Sequence, residues 1–317
     1  MIMLSNRHLL GLKDYPGEDI QSIIDMAFQF REVLERPIKR VPSLQGHTIV
    51  NLFFENSTRT RISFELAQKR LSADIVNFSG TGSSLKKGES FKDTVQNLEA
   101  MKIDAVVMRH PVPGSPYQLT RFIDAVVINA GDGAHEHPTQ AILDMMSLQE
   151  VFGALKGLKV GIIGDIAHSR VARSNIFGLA AMGAKVALCG PPTLLPLNVE
   201  VLPAKVSYSI DEVINWADAI IILRLQLERM GQKLIPSVRE YRSLFGITSE
   251  RMKNHTKQLV IMHPGPMNRG IEIDSDVADG KQAIILNQVL NGVASRMAIL
   301  YLLLGQKIPE ESEKSIS

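Results

Sequence analysis

Short, nearly uninterrupted apolar runs alternate along this chain with longer stretches in which apolar residues return every third or fourth position. The runs at 48–54, 73–78, 104–108, 125–130, 158–163, 184–189, 218–223 and 259–262 have strand length, and they predict strands buried on both faces. Ile20, Ile23, Ile24, Ala27 and Leu34 predict a first helix after Pro16-Gly17 that stops near Arg36-Pro37. Further helices are expected over 62–71, from a Ser90 and Asp93 cap to Met101, and over 139–152, 170–182, 209–217 and 283–304. A short one should open with Ser115 as N-cap and Pro116 at its first position, and Ser209 with Glu212 has the spacing of a capping box. Strands that alternate with helices build parallel sheets through right-handed crossovers. The fold class is therefore α/β, with two doubly wound parallel-sheet domains carrying helices on both faces. The first domain is expected at 1–152 and the second at 153–283, the handover falling in Gly153-Ala154-Leu155-Lys156-Gly157.

Composition narrows this only a little. A chain of 317 residues can hold two cores, and 45% hydrophobic with 21% charged residues describes a globular protein. The formal charge of +2 offers no clustered basic face for nucleic acid. Cys189 stands alone, which excludes an internal disulfide and suits a reducing compartment. Residues 1–4 run at once into Ser5-Asn6-Arg7-His8 with no leader pattern, so a cytoplasmic protein is expected. The apolar stretch 283–304 is interrupted by Asn287, Gln288, Asn291, Ser295 and Arg296, too polar for lipid, and is expected to be a buried helix rather than a membrane span.

The chemistry concentrates in Phe53-Phe54-Glu55-Asn56-Ser57-Thr58-Arg59-Thr60-Arg61, where a strand turns into a helix. A first helical turn has unpartnered N–H groups and the positive end of the dipole, so Ser57, Thr58 and Thr60 sit where an anion is held, and Arg59 adds a fork matched to phosphate. The plainer alternative is that Ser57 is an ordinary N-cap and the arginines are solvated. On this turn, F-x-E-x-S-T-R-T-R resembles the carbamoyl-phosphate signature of the aspartate and ornithine carbamoyltransferase family. Further motifs follow in that family's order. Ser84, Lys87, Gly88 and Glu89 resemble the loop that enters a neighbouring subunit's site. His137 and Gln140 match its H-P-x-Q, Arg170 lies in a segment like its second-substrate loop, and Arg224-Leu225-Gln226-Leu227-Glu228-Arg229 with His263-Pro264-Gly265-Pro266 resembles the remaining contacts. His135 and His137, two apart, have the look of a metal pair, but no carboxylate or cysteine stands at a supporting spacing. Gly161 and Gly164 lack the middle glycine of a dinucleotide fingerprint, so nicotinamide is not expected.

The resemblance implies attack of an amine on the carbonyl of carbamoyl phosphate, without metal or cofactor. It implies catalytic roles for Arg59, Thr60, Arg109 and His137. Carbamoyl phosphate would be held by Ser57, Thr58, Arg59, Thr60, Ser84, Arg109, His137 and Gln140 with the backbone of Gly265 and Pro266. L-Aspartate would be held by Lys87, Arg170, Arg224 and Gln226. Aspartate is favoured over ornithine because Arg170 and Arg224, both expected at strand ends of the second domain, suit two carboxylates, and because His-Pro-Gly-Pro lacks the cysteine of the ornithine enzymes' loop. The first domain would then take carbamoyl phosphate and the second aspartate. The helix at 284–305 would return to the first domain, and 306–317 would form a tail. The resemblance further implies a homotrimer with shared sites, and leaves open a regulatory chain or a dihydroorotase as partner.

Overall fold

Every apolar run named above forms a strand in the computed structural model, which describes residues 4–79, 91–226, 234–253, 255 and 257–305. The first sheet contains β1 (Thr48–Phe53), β2 (Asp74–Ser79), β3 (Ala105–His110) and β4 (Val126–Asp132), in the order β2-β1-β3-β4. The second contains β5 (Lys159–Ile163), β6 (Lys185–Cys189), β7 (Lys205–Ser207), β8 (Ala219–Ile222) and β9 (Val260–Met262), in the order β7-β6-β5-β8-β9. All pairings are parallel. The edge strand β7 was not expected, since its three residues are too few to show a period. In each sheet the order reverses once, between β1 and β3 and between β5 and β8, and the crevice at such a reversal is where open α/β sheets take ligands.

The helices α1 (Gly17–Glu35), α2 (Thr58–Arg70), α3 (Phe91–Ala100), α4 (Ser115–Leu119), α5 (Pro138–Phe152), α6 (Arg170–Ala181) and α7 (Ile210–Trp216) follow the predicted periodicity. Three short ones, α8 (Val238–Phe245), α9 (Ser249–Lys253) and α10 (Ser275–Ala278), add to it. Two local expectations are corrected. Ser115 is the first residue of α4 and Gly114 its N-cap, at φ 81°, because the Ser115 hydroxyl turns back to donate to the Val112 carbonyl at 2.8 Å. Ser209 does cap α7, but Glu212 accepts from the Ser207 hydroxyl at 2.9 Å instead of closing a reciprocal box. The proposed Ser90 cap of α3 lies outside the described residues.

The last helix, α11 (Ile285–Leu304), explains its own polar interruptions. It starts on the second sheet, where the Ile284 N–H donates to the Ile261 carbonyl at 3.0 Å, and then runs across the first unit against α1, α2 and α5. Asn291 donates to Ser147 (2.9 Å) and Glu150 (3.0 Å) of α5 and accepts from Arg31 of α1 (2.9 Å). Arg296 donates to Ser63 of α2 at 2.9 Å. Asn291 and the Arg296 Nη1 group thus find their partners on helices that the packing brings to them. Among the described residues no helix is long and apolar enough to cross a membrane.

Candidate active site

The turn from β1 into α2 has the composition of an anion cradle and leaves its N-terminus open. Ser57 occupies the N-cap position but makes no side-chain cap; its hydroxyl donates to Thr60 Oγ1 at 3.0 Å. The first intrahelical bond is Arg61 N–H to the Ser57 carbonyl at 3.1 Å, so the N–H groups of Thr58, Arg59 and Thr60 have no intrahelical acceptor. Arg59 reaches to the second sheet's loop after β9. A Cβ on Gly265, which sits at φ 63°, would lie 1.8 Å from Arg59 Nη1. Only glycine admits that approach.

Arg109 lies within β3 rather than beyond it, at a bulge where the pairing with β4 shifts between Met108 and His110. A bulge re-aims a side chain, and here the guanidinium donates from Nε to Glu55 at 3.1 Å and from Nη1 to the Ala130 carbonyl at 3.2 Å. The same Glu55 oxygen accepts from Arg170 Nη2 at 2.7 Å. Arg170 is the first residue of α6, seven positions past the end of β5 by numbering, so it is a helix-start and not a strand-end group. Its side chain lies on Gly131 (φ 113°), where a Cβ would be 3.0 Å from Nε, and its buried Nη1 has no partner among the described residues. Glu55 therefore links a cation of the first sheet to one of the second. It stood inside the quoted signature without a role; the signal that would have found it is the need of buried arginines for a carboxylate.

His137 is buried at the start of α5, its N–H donating to Ser174 Oγ at 2.8 Å. Ser174 in turn donates to Glu136 at 2.7 Å, and Glu136 accepts from the Leu12 and Lys13 N–H groups, so the His137 backbone is held from α6 and from the N-terminal segment. Burial, then the charges of Arg109, Arg170 and Arg296, holds the imidazole well below the usual histidine range. It is neutral at physiological pH and can donate one N–H to a developing oxyanion. His135 goes elsewhere: its Nδ1 lies 3.0 Å from Asp132, whose hydrogen bond raises the ring's pKa.

Gln140, one turn along α5, donates to Asp144 at 3.0 Å. Asp144 also accepts from Gln288 of α11 (2.8 Å) and from Asn175 of α6 (2.8 Å), and burial pushes its carboxyl up to about 6. Gln288 accepts from the His263 N–H at 3.1 Å, and His263 Nδ1 accepts from the Gly265 N–H at 2.8 Å. The loop is tied further by Asn268 to the Leu225 carbonyl at 3.3 Å, next to Arg224 and Gln226 at the end of β8. Arg224 is half-buried there, and the Gln226 N–H bonds Asp165. Thr58, Thr60 and Pro266 stand where their motifs put them, whereas Ser84, Lys87, Leu227, Glu228 and Arg229 lie outside the described residues. Sequence reasoning also passed over Asp144, Glu272 and Arg296; the spacing of four between Gln140 and Asp144 was the available signal for the first.

Comparison with known proteins gives the same picture over nearly the whole chain. Residues 7–150 match the model of the carbamoyl-P binding domain of aspartate/ornithine carbamoyltransferases, and 156–303 match that of the Asp/Orn binding domain. The chain is 56% identical over 307 residues to the aspartate carbamoyltransferase catalytic subunit of Cytophaga hutchinsonii, covering 97% of this chain and 100% of that one. It is 56% identical over 313 residues to that of Gemmatimonas aurantiaca, covering 98% of each. Among solved structures, aspartate transcarbamoylase of Trypanosoma cruzi in complex with N-(phosphonacetyl)-L-aspartic acid superposes with a TM-score of 0.85 at 28% identity, covering 94% and 95% of the two chains. Ornithine carbamoyltransferase of Pyrococcus furiosus does so at 0.84 and 26%, covering 96% and 99%.

Proposed function

This chain belongs to the aspartate/ornithine carbamoyltransferase family, and from that membership we infer that it catalyses the aspartate carbamoyltransferase reaction. It transfers the carbamoyl group of carbamoyl phosphate to the α-amine of L-aspartate, giving N-carbamoyl-L-aspartate and phosphate, the committed step of de novo pyrimidine biosynthesis. The observation that carries the reading is the neutral His137 buried beside Arg109 and Arg170, which Glu55 draws together from the two sheets.

The chemistry follows from charge. Attack of the amine on the carbonyl carbon places negative charge on the carbonyl oxygen, and breaking the carbon–oxygen bond places more on the departing phosphate. Donors aimed at those positions lower the barrier without metal or covalent intermediate. In this reading the open N-terminus of α2, with Ser57, Thr58, Arg59 and Thr60, holds the phosphate together with Arg109 and Ser84. Thr60, Arg109 and His137 face the oxyanion. Gln140 and the Gly265 and Pro266 carbonyls accept from the carbamoyl nitrogen, and Arg170, Arg224, Gln226 and Lys87 hold the aspartate carboxylates. The unit 1–152, with the helix at 284–305, would take carbamoyl phosphate, and 153–283 aspartate. Because Ser84 and Lys87 would come from a neighbour, the active form would be a cytoplasmic homotrimer, with a regulatory chain or a dihydroorotase as a further partner. Exposed Ile62 and Leu66 on α2 and Val76 on β2 supply apolar surface for such an assembly.

The direct test is consumption of carbamoyl phosphate by the purified protein with aspartate, ornithine or N-acetylornithine. Aspartate should be the preferred acceptor, and preference for either of the others overturns the choice.

A further inference from the structure

We infer that Asp144 is a positioning residue that orients both acceptors of the carbamoyl nitrogen, and so sets the enzyme's discrimination for an amide over a methyl group at that position. The inference deepens the functional reading above and rests on it.

The argument is one of forced orientation. An ionised carboxylate only accepts hydrogen bonds. Because Asp144 Oδ1 lies 3.0 Å from the Gln140 amide and 2.8 Å from the Gln288 amide, both must turn their NH2 groups toward it. Gln140 Oε1 is then the end left for a ligand, an acceptor suited to N–H and useless to a methyl. Gln288 Oε1 is turned the other way and receives the His263 N–H at 3.1 Å. The orientation continues down the loop. His263 Nδ1 accepts from the Gly265 N–H at 2.8 Å, so the ring's proton sits on Nε2, which faces the buried Glu272 carboxylate at 3.4 Å. Gly265 and Pro266, whose carbonyls are the second acceptor, are thereby hung from the same carboxylate through Gln288 and His263. Asn175 holds the other Asp144 oxygen at 2.8 Å, which keeps the carboxyl from rotating. Asp144 is fully buried, so it touches no ligand and acts only through these amides.

The experiment compares carbamoyl phosphate with acetyl phosphate, which carries the same phosphate and a methyl in place of the NH2. In Asp144→Leu, which keeps a similar volume, Gln140 and Gln288 lose the shared oxygen that turns their NH2 groups inward. The KM for carbamoyl phosphate is expected to rise about tenfold, the loss of one buried hydrogen-bond pair. The inhibition constant of acetyl phosphate, measured as a competitor of carbamoyl phosphate, should stay within about twofold, because nothing that binds phosphate has moved. Gln288→Met, which keeps the volume but cuts the link from Asp144 to the loop, should show the same selective loss and provides the test if Asp144→Leu does not fold. Equal weakening of both ligands, or no change in either, in the variants that fold overturns the inference. A wild-type protein that fails to turn over carbamoyl phosphate with aspartate would remove the functional reading itself, and this inference with it.

Discussion

A buried histidine with three guanidiniums near it gives up its proton early. The His137 ring should therefore show no titration between about pH 6 and 9, in contrast to an unperturbed imidazole near 6.5. Ring-carbon NMR shifts followed across that range check it, and a midpoint near 6.5 would refute the assignment of a neutral donor. Replacing His137 with alanine should lower kcat by about 10² to 10³, the usual loss of an oxyanion donor, with little change in melting temperature. Gly265→Ala places a methyl 1.8 Å from Arg59 Nη1 at φ 63°, so Arg59 must leave and carbamoyl phosphate should bind more weakly; the Kd from calorimetric titration measures this. Asp144 behaves in two directions. Its carboxyl is raised from 3.8 to about 6, so its contribution to stability grows as pH falls through about 6 toward 3.8. Carbamoyl phosphate affinity should fall over the same window, because a neutral carboxyl is a weaker acceptor for the two glutamine amides that share its Oδ1. The hydrogen bonds from Asn175, Gln288 and Gln140, and then the charge of Arg296 on α11, keep the value from rising further.

At the level of elements, the site depends on pieces that arrive from different directions and meet through one carboxylate. Glu55 follows β1, Arg109 sits at the bulge of β3 and Arg170 opens α6, and both cations use the same Glu55 oxygen. Glu55→Gln leaves two cations close together with a weaker acceptor between them. Removing one partner of a largely desolvated pair costs about 2 kcal/mol at the low end, so kcat/KM should drop about 30-fold or more in steady-state kinetics. An unchanged kcat/KM would mean the two sheets do not need this bridge. The sequence made the strands legible because each is a solid apolar run, and it hid Glu55 because its partners lie 54 and 115 positions away. The helix α8 went unread although Tyr241 and Phe245, spaced as one helical face, are both buried.

For the whole molecule, α11 joins the packing of α5 on α6 in making one body of two sheets, since it begins beside β9 and packs on α1, α2 and α5. The proposed trimer adds a second level of sharing. Lys87→Ala and His137→Ala proteins should each be inactive alone, and mixing them with subunit exchange should restore part of the turnover if Lys87 serves a neighbour's site. Mass by light scattering should report a trimer. Absence of recovery after verified exchange would mean that each chain supplies its own site.

What the sequence determined by itself was the local part: where the strands and helices run, which loops end them, and which hydroxyl, guanidinium, imidazole and amide groups those loops carry. Such features follow from apolar spacing and from residue types within a few positions of one another. Only the tertiary structure decided how those groups are paired and oriented. Whether Ser57 caps its helix or turns to Thr60, which carboxylate joins Arg109 to Arg170, and which end of Gln140 faces Asp144 all depend on partners far along the chain. A buried polar group takes whichever complementary neighbour the packing supplies, and no local pattern carries that information.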